Sequence, residues 1–293
     1  MKRKEFIKKS ILGMAATTAI SSTSKAEIPK KSTSTYDKLM DQVGFNHIPN
    51  KEVMTNKTVL HKANTRGHAN HGWLDSHHSF SFANYRNPER MNFGVLRVLN
   101  DDVVSGGKGF GKHPHDNMEI ISIPLSGALK HEDTLGSQQI IRKGDVQVMS
   151  AGSGIYHSEK NDSSDEAVRF LQIWMFPNAR NVQPRYDQIS YDTQELKNNL
   201  LQVLSPHQDD AGVWVHQNAW FHLGELDKNF KTTYQLKGKG TGVYAFVLEG
   251  DVTIAGQSLN KRDGFGIWEV EAIDIQADST AQILLMEVPM QLG

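Results

Sequence analysis

Short apolar runs separated by turns dominate the chain from residue 53 onward, and long amphipathic helical stretches are scarce. Four segments show the pattern of one or two strands: 93–104, 118–132, 145–152 and 168–177. The last is a continuous apolar run, as expected for a strand buried on both faces. One short helix is predicted within 193–203. The spacing of strands and turns therefore predicts an all-β fold of antiparallel strands, as in a barrel or a sandwich.

The second half of the chain repeats the design of the first. The strand–turn–strand segment 243–256 resembles 118–132, and the apolar run 282–290 resembles 168–177. Similar patterns at similar spacing predict two β-barrels of the same type in one chain. A more polar stretch that contains Pro184 and Pro206 separates the two halves.

Two short motifs in the first half carry candidate chemistry. His113-Pro-His115 and His157-Ser-Glu159 each place two ionisable residues at i and i+2. Such residues point to the same face of a strand. If the two strands face each other inside a barrel, three imidazoles and a carboxylate converge, and this donor set suits a divalent first-row transition metal with open coordination positions. Glu119, four residues after His115 and so of the same strand parity, is a second candidate for the carboxylate ligand.

The second half lacks both motifs. Its corresponding segments read KGKGTGVY at 237–244 and DGFGIWEVE at 263–271. We therefore expect one metal per chain, held in the first barrel. In the metal-free alternative the same residues would be buried, hydrogen-bonded polar groups, which carry a large desolvation cost.

The other histidines lack ligand spacing. His77 and His78 are adjacent, so they point to opposite faces of a strand. His131 stands beside Glu132 and Asp133 in a predicted turn. We expect surface or hydrogen-bonding roles for these three histidines. No ligand pattern is seen either at His61, His68, His71, His207, His216 and His222.

Composition excludes several classes of function. The chain has no cysteine, so disulfides, thiolate nucleophiles, zinc fingers and iron–sulfur clusters are excluded. The first 26 residues hold six of the 32 Lys/Arg and one of the 33 Asp/Glu, which leaves 26 basic and 32 acidic residues and a net charge of −6. Because phosphate neutralisation dominates nucleic-acid affinity, an acidic chain without a basic cluster predicts no nucleic-acid partner.

The N-terminus has the layout of an export signal. Five Lys/Arg within residues 1–10 precede the apolar run Ile11–Ile20, which is too short to span a bilayer. Residues 3–8 (RKEFIK) resemble the twin-arginine motif with Lys in place of the second Arg, and Ala19 and Ala26 each end a candidate cleavage site. We expect periplasmic export by this route and no membrane association after cleavage, with a cytoplasmic chain as the alternative. The predicted divisions are an export signal at 1–26, a polar lead-in at 27–52, a first barrel at 53–177, a connector at 178–210 and a second barrel at 211–293.

The spacing of glycines around the histidines resembles the two cupin motifs. Gly107 stands six residues before His113, and Gly144 precedes His157 by thirteen residues. A closer resemblance is to the pirin family, and in particular to its bacterial quercetin 2,3-dioxygenase-like members. It is carried by HGWLDSHHSFSFANY at 71–85, GFGKHPHDNMEIISIPLSGALKHEDTLG at 109–136 and GDVQVMSAGSGIYHSEKN at 144–161. The resemblance implies two cupin-type (jelly-roll) antiparallel β-barrels in tandem, a bicupin.

The resemblance also implies a ligand set and a reaction. It assigns His113, His115, His157 and Glu159 to one divalent transition metal and favours Glu159 over Glu119. Fe(II) is the favoured ion, with Mn, Co, Ni or Cu as alternatives. The implied function is a metal-dependent dioxygenase that opens flavonol or related enolic substrates with O2, with Glu159 as the catalytic base. The alternative is a non-catalytic, redox-sensing metal protein that regulates a protein partner, which requires a chain that is not exported.

Overall fold

The computed structural model describes residues 58–292. The export signal predicted at 1–26 and the lead-in predicted at 27–52 lie outside these residues. Regular structure in the described part consists of β-strands and three short 3₁₀ helices, which confirms the predicted all-β class. The 3₁₀ helices are Ala63–Thr65, Pro88–Arg90 and Thr193–Leu196. None of the helices between residues 58 and 292 has the length and hydropathy that a membrane-spanning helix needs.

The first half of the chain forms two sheets that pack on each other. The first twelve strands are β1 (Thr58–His61), β2 (Gly67–Asn70), β3 (Leu74–His78), β4 (Leu96–Val104), β5 (Gly109–His115), β6 (Glu119–Ser126), β7 (Ala128–Asp133), β8 (Gln138–Arg142), β9 (Asp145–Ser150), β10 (Ile155–Asn161), β11 (Val168–Met175) and β12 (Arg185–Ser190). One sheet has the order β12-β9-β6-β11-β4-β3-β2, and the smaller one has the order β5-β10-β7-β8. All pairings within both sheets are antiparallel.

The second half repeats the combination of a large and a small sheet, but its first two strands pair in parallel. Its strands are β13 (Leu201–Ser205), β14 (Val213–Trp214), β15 (Trp220–Leu226), β16 (Lys231–Gln235), β17 (Thr241–Glu249), β18 (Val252–Ile254), β19 (Gln257–Leu259), β20 (Gly264–Trp268), β21 (Ala272–Ala277) and β22 (Ala281–Pro289). The larger sheet runs β1-β20-β17-β22-β15-β13-β14 and the smaller one β16-β21-β18-β19. Each half thus pairs a seven-stranded sheet with a four-stranded sheet, an open form of the predicted barrel.

Three of the described strands lie in sheets outside their predicted divisions. β1 lies at the start of the described chain, yet it pairs with β20 of the second half. The segment 178–210, predicted as a connector, carries β12, which extends the first large sheet along β9, and β13, which joins the second. The helix predicted within 193–203 is reduced to the 3₁₀ helix Thr193–Leu196.

The interiors of the two halves differ. Between the sheets of the second half, apolar side chains such as Val243, Ile273 and Ile283 form one buried cluster. In the first half, histidines, carboxylates and amides occupy corresponding interior surfaces beside apolar residues. These polar groups line a cavity between the two sheets of the first half.

Candidate metal centre

Strands β5 and β10 bring the three motif histidines together. The strands are hydrogen-bonded neighbours in the small sheet, with His113 directly opposite His157. They do not face each other across a barrel, as the motif argument assumed. The nitrogens that His113, His115 and His157 can offer to a metal all lie within 4.8 Å of one another. The centroids of the three rings are 4.4 to 4.9 Å apart.

The protonation of these rings fits metal binding. His113 Nδ1 donates to the Gly111 carbonyl at 2.7 Å, which leaves its Nε2 as the lone-pair nitrogen. Burial, followed by the charge of His113, lowers the pKa of His115 to about 3. Burial and the neighbouring imidazoles hold the pKa of His157 far below its usual range. Both rings are therefore neutral near pH 7, the form that binds metal.

Buried nitrogen atoms without partners point to a cation-binding site. Within the described part of the chain, His115 Nε2 and both ring nitrogens of His157 are buried and lack a hydrogen-bond partner. An unpaired buried polar atom is costly, so such atoms call for a ligand, ion or water. The three imidazoles fit a divalent transition-metal ion.

Glu159 borders this group. A register shift in β10 separates Glu159 from His157. One carboxylate oxygen of Glu159, one ring nitrogen of His157 and one ring nitrogen of His131 all lie within 4.8 Å of one another. Ser122 Oγ donates to one oxygen at 2.7 Å and Gln172 Nε2 donates to the other at 2.6 Å. A carboxylate has about four lone-pair positions, so two remain for a metal or a proton. The assignment of Glu159 as ligand and base stays a prediction.

Glu119, the alternative carboxylate, faces away from the cavity. It lies on β6, beyond the turn that ends β5, so the two-residue period that links His113 to His115 does not extend to it. Its Oε2 accepts from Ser150 Oγ at 2.8 Å and from the backbone N–H of His216 at 3.3 Å. Burial raises its pKa to about 7. The structure does not bring Glu119 to the three histidines.

His131 is the ionisable residue that the sequence argument placed wrongly. It lies inside β7 and is fully buried, not in a turn. It stands opposite Glu159 in the strand register, and its ring centroid is 5.3 Å from that of His157. Its Nε2 is 3.0 Å from Asp133 Oδ2. The alternation of outward Lys130 with inward neighbours was the signal that could have revealed it.

A cavity of about 430 Å³ opens onto the three histidines. Its apolar walls include two edge-to-face aromatic pairs, Trp73 with Phe110 and Phe82 with Trp174, each with centroids 5.4 Å apart. The Trp174 ring also contacts the His115 ring edge-to-face at 4.9 Å. Flat aromatic walls beside a metal-binding group are suited to a planar ligand.

A buried polar wall on β3 and β4 also lines the cavity. Ser76 Oγ hydrogen-bonds both Asp102 and the Nε2 of His78. Burial raises the pKa of Asp102 to about 7 and lowers the pKa of His78 to about 4. Asn100 lines the same wall, and its Oδ1 has no hydrogen-bond partner among the described residues. Asn100 and Asp102 on β4 reach Ser76 and His78 on β3 only through the pairing of the two strands. Sequence spacing therefore does not reveal this polar wall.

Two tandem cupin-type domains, of which one carries a three-histidine centre, define a metal-binding bicupin. The family model described as Pirin matches residues 59–175, and the model described as Quercetinase C-terminal cupin domain matches residues 202–288. These matches, together with the relatives described next, show that the chain belongs to the pirin family.

The relatives are similar over almost their whole length. The protein named quercetin 2,3-dioxygenase from Escherichia coli K12 is 45% identical over 230 residues, which cover 78% of this chain and 98% of the relative. A pirin-like protein from Caulobacter vibrioides is 39% identical over 75% of this chain and 95% of its own. The crystal structure of the bacterial pirin YhhW from Escherichia coli in complex with nickel(II) has a TM-score of 0.75 and 44% identity, covering 79% of this chain and 99% of that one.

Proposed function

We propose that the chain is a metal-dependent dioxygenase of the quercetinase type, which opens a flavonol or a related enolic substrate with O2. The observation that carries the proposal is the group of three converging histidines, two of them buried and neutral, at an aromatic-walled cavity. Its volume of about 430 Å³ lies within the roughly 300–1,000 Å³ typical of small-molecule sites. The name of the Escherichia coli relative supports the choice of substrate class.

The residues that would hold the metal are His113, His115 and His157, with Glu159 as the fourth ligand. We propose Fe(II), and the crystal structure of the related Escherichia coli pirin in complex with nickel(II) supports a divalent transition metal. The ion would supply Lewis acidity toward an enol oxygen.

The cavity walls would bind and orient the substrate. The aromatic pairs Trp73–Phe110 and Phe82–Trp174 offer faces and edges to a planar ring system. Because these walls are apolar, they also exclude water from the reacting atoms. The wall formed by Asn100 and Asp102 offers hydrogen-bonding groups to substrate hydroxyls.

Glu159 would accept the proton of the enol. Ser122 and Gln172 hold its carboxylate in one orientation, and each donor occupies one oxygen. The remaining lone pairs let the same group bind the metal and take a proton. The proposed net reaction adds O2 to the flavonolate, opens the heterocycle to an ester and releases carbon monoxide.

Loss of the flavonol absorption band with simultaneous O2 uptake tests this proposal. We expect turnover by the metal-loaded wild type and a loss of at least about 100-fold in His113→Ala. His207→Ala is the matched control, since His207 is an exposed histidine of the second half, and its rate should be unchanged. Equal rates in wild type and His113→Ala would show that the site does not carry the chemistry. An inactive, fully metallated protein would favour the metal-binding regulator.

A further inference from the structure

We infer that the outer face of the β2–β3 hairpin is a second metal site, formed by His68, Asp75 and His77, for a borderline divalent ion such as Zn²⁺ or Cu²⁺. Two imidazoles and one carboxylate are a donor set that such ions accept. The three residues share no side chain with the centre formed by His113, His115 and His157.

The register of the hairpin brings the three side chains together. His68 on β2 stands directly opposite His77 on β3. Asp75 precedes His77 by two residues on the same strand, so it points to the same face and is a diagonal neighbour of His68. The nine-residue separation of His68 and His77 along the chain hides this relation from a search for ligand spacing.

The distances are close to those of a metal site. Asp75 Oδ1 is 2.6 Å from His68 Nε2 and 3.8 Å from His77 Nδ1. All three potential ligand atoms lie within 4.8 Å of one another. In a tetrahedral site with bonds near 2.0–2.1 Å, ligand atoms are roughly 3.3 Å apart, a value between the two observed distances.

Small side-chain rotations can close the site. The two imidazole rings stack with centroids 4.4 Å apart and planes 16° from parallel, so one ring has to turn about its Cβ–Cγ bond before both in-plane lone pairs point at one ion. The side chains of His68, Asp75 and His77 are 51%, 44% and 37% exposed, which leaves them room to turn and leaves the ion open to water ligands.

The surrounding charges permit a cation. Arg66 is paired with Asp101 at 3.3 Å, and Arg262 is paired with the same carboxylate at 3.1 Å. Asp101 therefore offsets part of the charge of these two guanidinium groups, and Asp75 supplies the negative charge at the site itself.

The site lies on the reverse side of a cavity wall. Ser76 and His78 alternate with Asp75 and His77 along β3, and they line the cavity on the opposite face. β2 is the edge strand of its sheet. An ion bound to side chains of both β2 and β3 would cross-link the two strands, and so restrict motion of the wall, without entering the cavity.

Zn²⁺ titration of the full chain tests the inference, with the number of bound equivalents measured by equilibrium dialysis and calorimetry. Wild type should bind a second, weaker equivalent of Zn²⁺ in addition to the ion at the buried centre. His68→Ala/His77→Ala should lose only that weaker equivalent. Asp75→Asn should weaken it by roughly tenfold or more, since losing even an outer-sphere partner of a metal ligand costs that much.

Two controls make the result decisive. His207→Ala removes an exposed histidine elsewhere and should keep both equivalents. His115→Ala/His157→Ala should keep the weaker equivalent while losing the buried one, which separates this inference from the proposed function. Equal stoichiometry in wild type and His68→Ala/His77→Ala would overturn the inference, and so would an unchanged weaker affinity in Asp75→Asn.

Discussion

Two buried glutamates offer a matched test of the metal centre. Glu159 and Glu119 are 2% and 1% exposed, and the same change to Gln can be made at each. Glu159 lies beside His157 at the cavity, whereas Glu119 contacts Ser150 and the backbone of His216. Glu159→Gln should weaken metal binding, and Glu119→Gln should leave it unchanged.

The magnitudes follow from the surroundings of each carboxylate. Loss of an outer-sphere partner alone reduces metal affinity by roughly 10–100-fold, and replacing a charged ligand by a neutral amide should cost no less. That factor corresponds to about 1.4–2.8 kcal/mol of binding free energy. Burial raises the pKa of Glu119 to about 7. Near neutral pH this side chain is therefore already protonated in much of the protein, and Gln resembles that neutral form. Replacement of Glu119 should change the free energy of unfolding by about 1 kcal/mol or less.

Metal content after dialysis against graded chelator gives the affinity, and flavonol turnover at saturating metal gives a second, separate readout. If Glu159 is also the proton acceptor, Glu159→Gln stays slow even when its metal site is full. Recovery of full turnover at saturating metal would leave it the role of ligand alone. Loss of metal in Glu119→Gln with retention in Glu159→Gln would refute the ligand assignment.

Three further predictions concern stability, stoichiometry and export. Burial raises the pKa of Asp102 from 3.8 to about 7, so the folded state retains a proton that the unfolded chain releases in this window, and the free energy of unfolding falls as pH rises through it. Asp102→Asn should remove that fall, on the order of 4 kcal/mol as an upper bound, and equal pH slopes in urea unfolding of the two metal-free proteins would contradict this. Purified wild type should hold one tightly bound metal and His157→Ala none by elemental analysis, whereas two tight equivalents would oppose a single buried centre. We also propose export with cleavage near Ala26, and mass spectrometry that finds an intact Met1 in a soluble cytosolic fraction would oppose it.

The part of the centre that sequence could predict is the part set by local periodicity. His113 with His115 is a two-residue relation, and the same holds for His157 with Glu159, so the strand geometry alone aligns each pair. The convergence of the pairs needed one more assumption about how the strands meet. The assumption that the two strands face each other across a barrel was wrong. β5 and β10 instead pair side by side, and the three histidines meet through that pairing.

The residues that escaped prediction depend on long-range register. His131 reaches Glu159 only through the pairing of β7 with β10, and Asp102 reaches Ser76 only through the pairing of β3 with β4. The sequence also shows no sign that β1 pairs with β20, or that β12 of the predicted connector pairs with β9. Strands that pair across a long stretch of sequence leave no periodic signal. Local patterns define strands and their faces, while partner choice is a property of the whole sheet.

Each half contains a buried glutamate, and the two differ in how many hydrogen bonds their carboxylate oxygens accept. In the second half, Glu287 accepts from Tyr234 Oη, Thr241 Oγ1 and the backbone N–H groups of Lys237 and Gly238, at 2.7 to 3.0 Å. These four donors match the lone-pair positions of a carboxylate, so Glu287 has nothing left to offer a ligand.

Glu159 in the first half has two donors, and it lies beside a buried histidine whose nitrogens have no partner in the described chain. Unmet hydrogen-bonding capacity in a buried site costs stability, and folding alone does not require it. The contrast between these two carboxylates therefore favours the first half as the place of the chemistry. The same comparison predicts that Glu287→Gln lowers the free energy of unfolding, by about 1–3 kcal/mol for the donor N–H groups that the amide would face, without changing metal content.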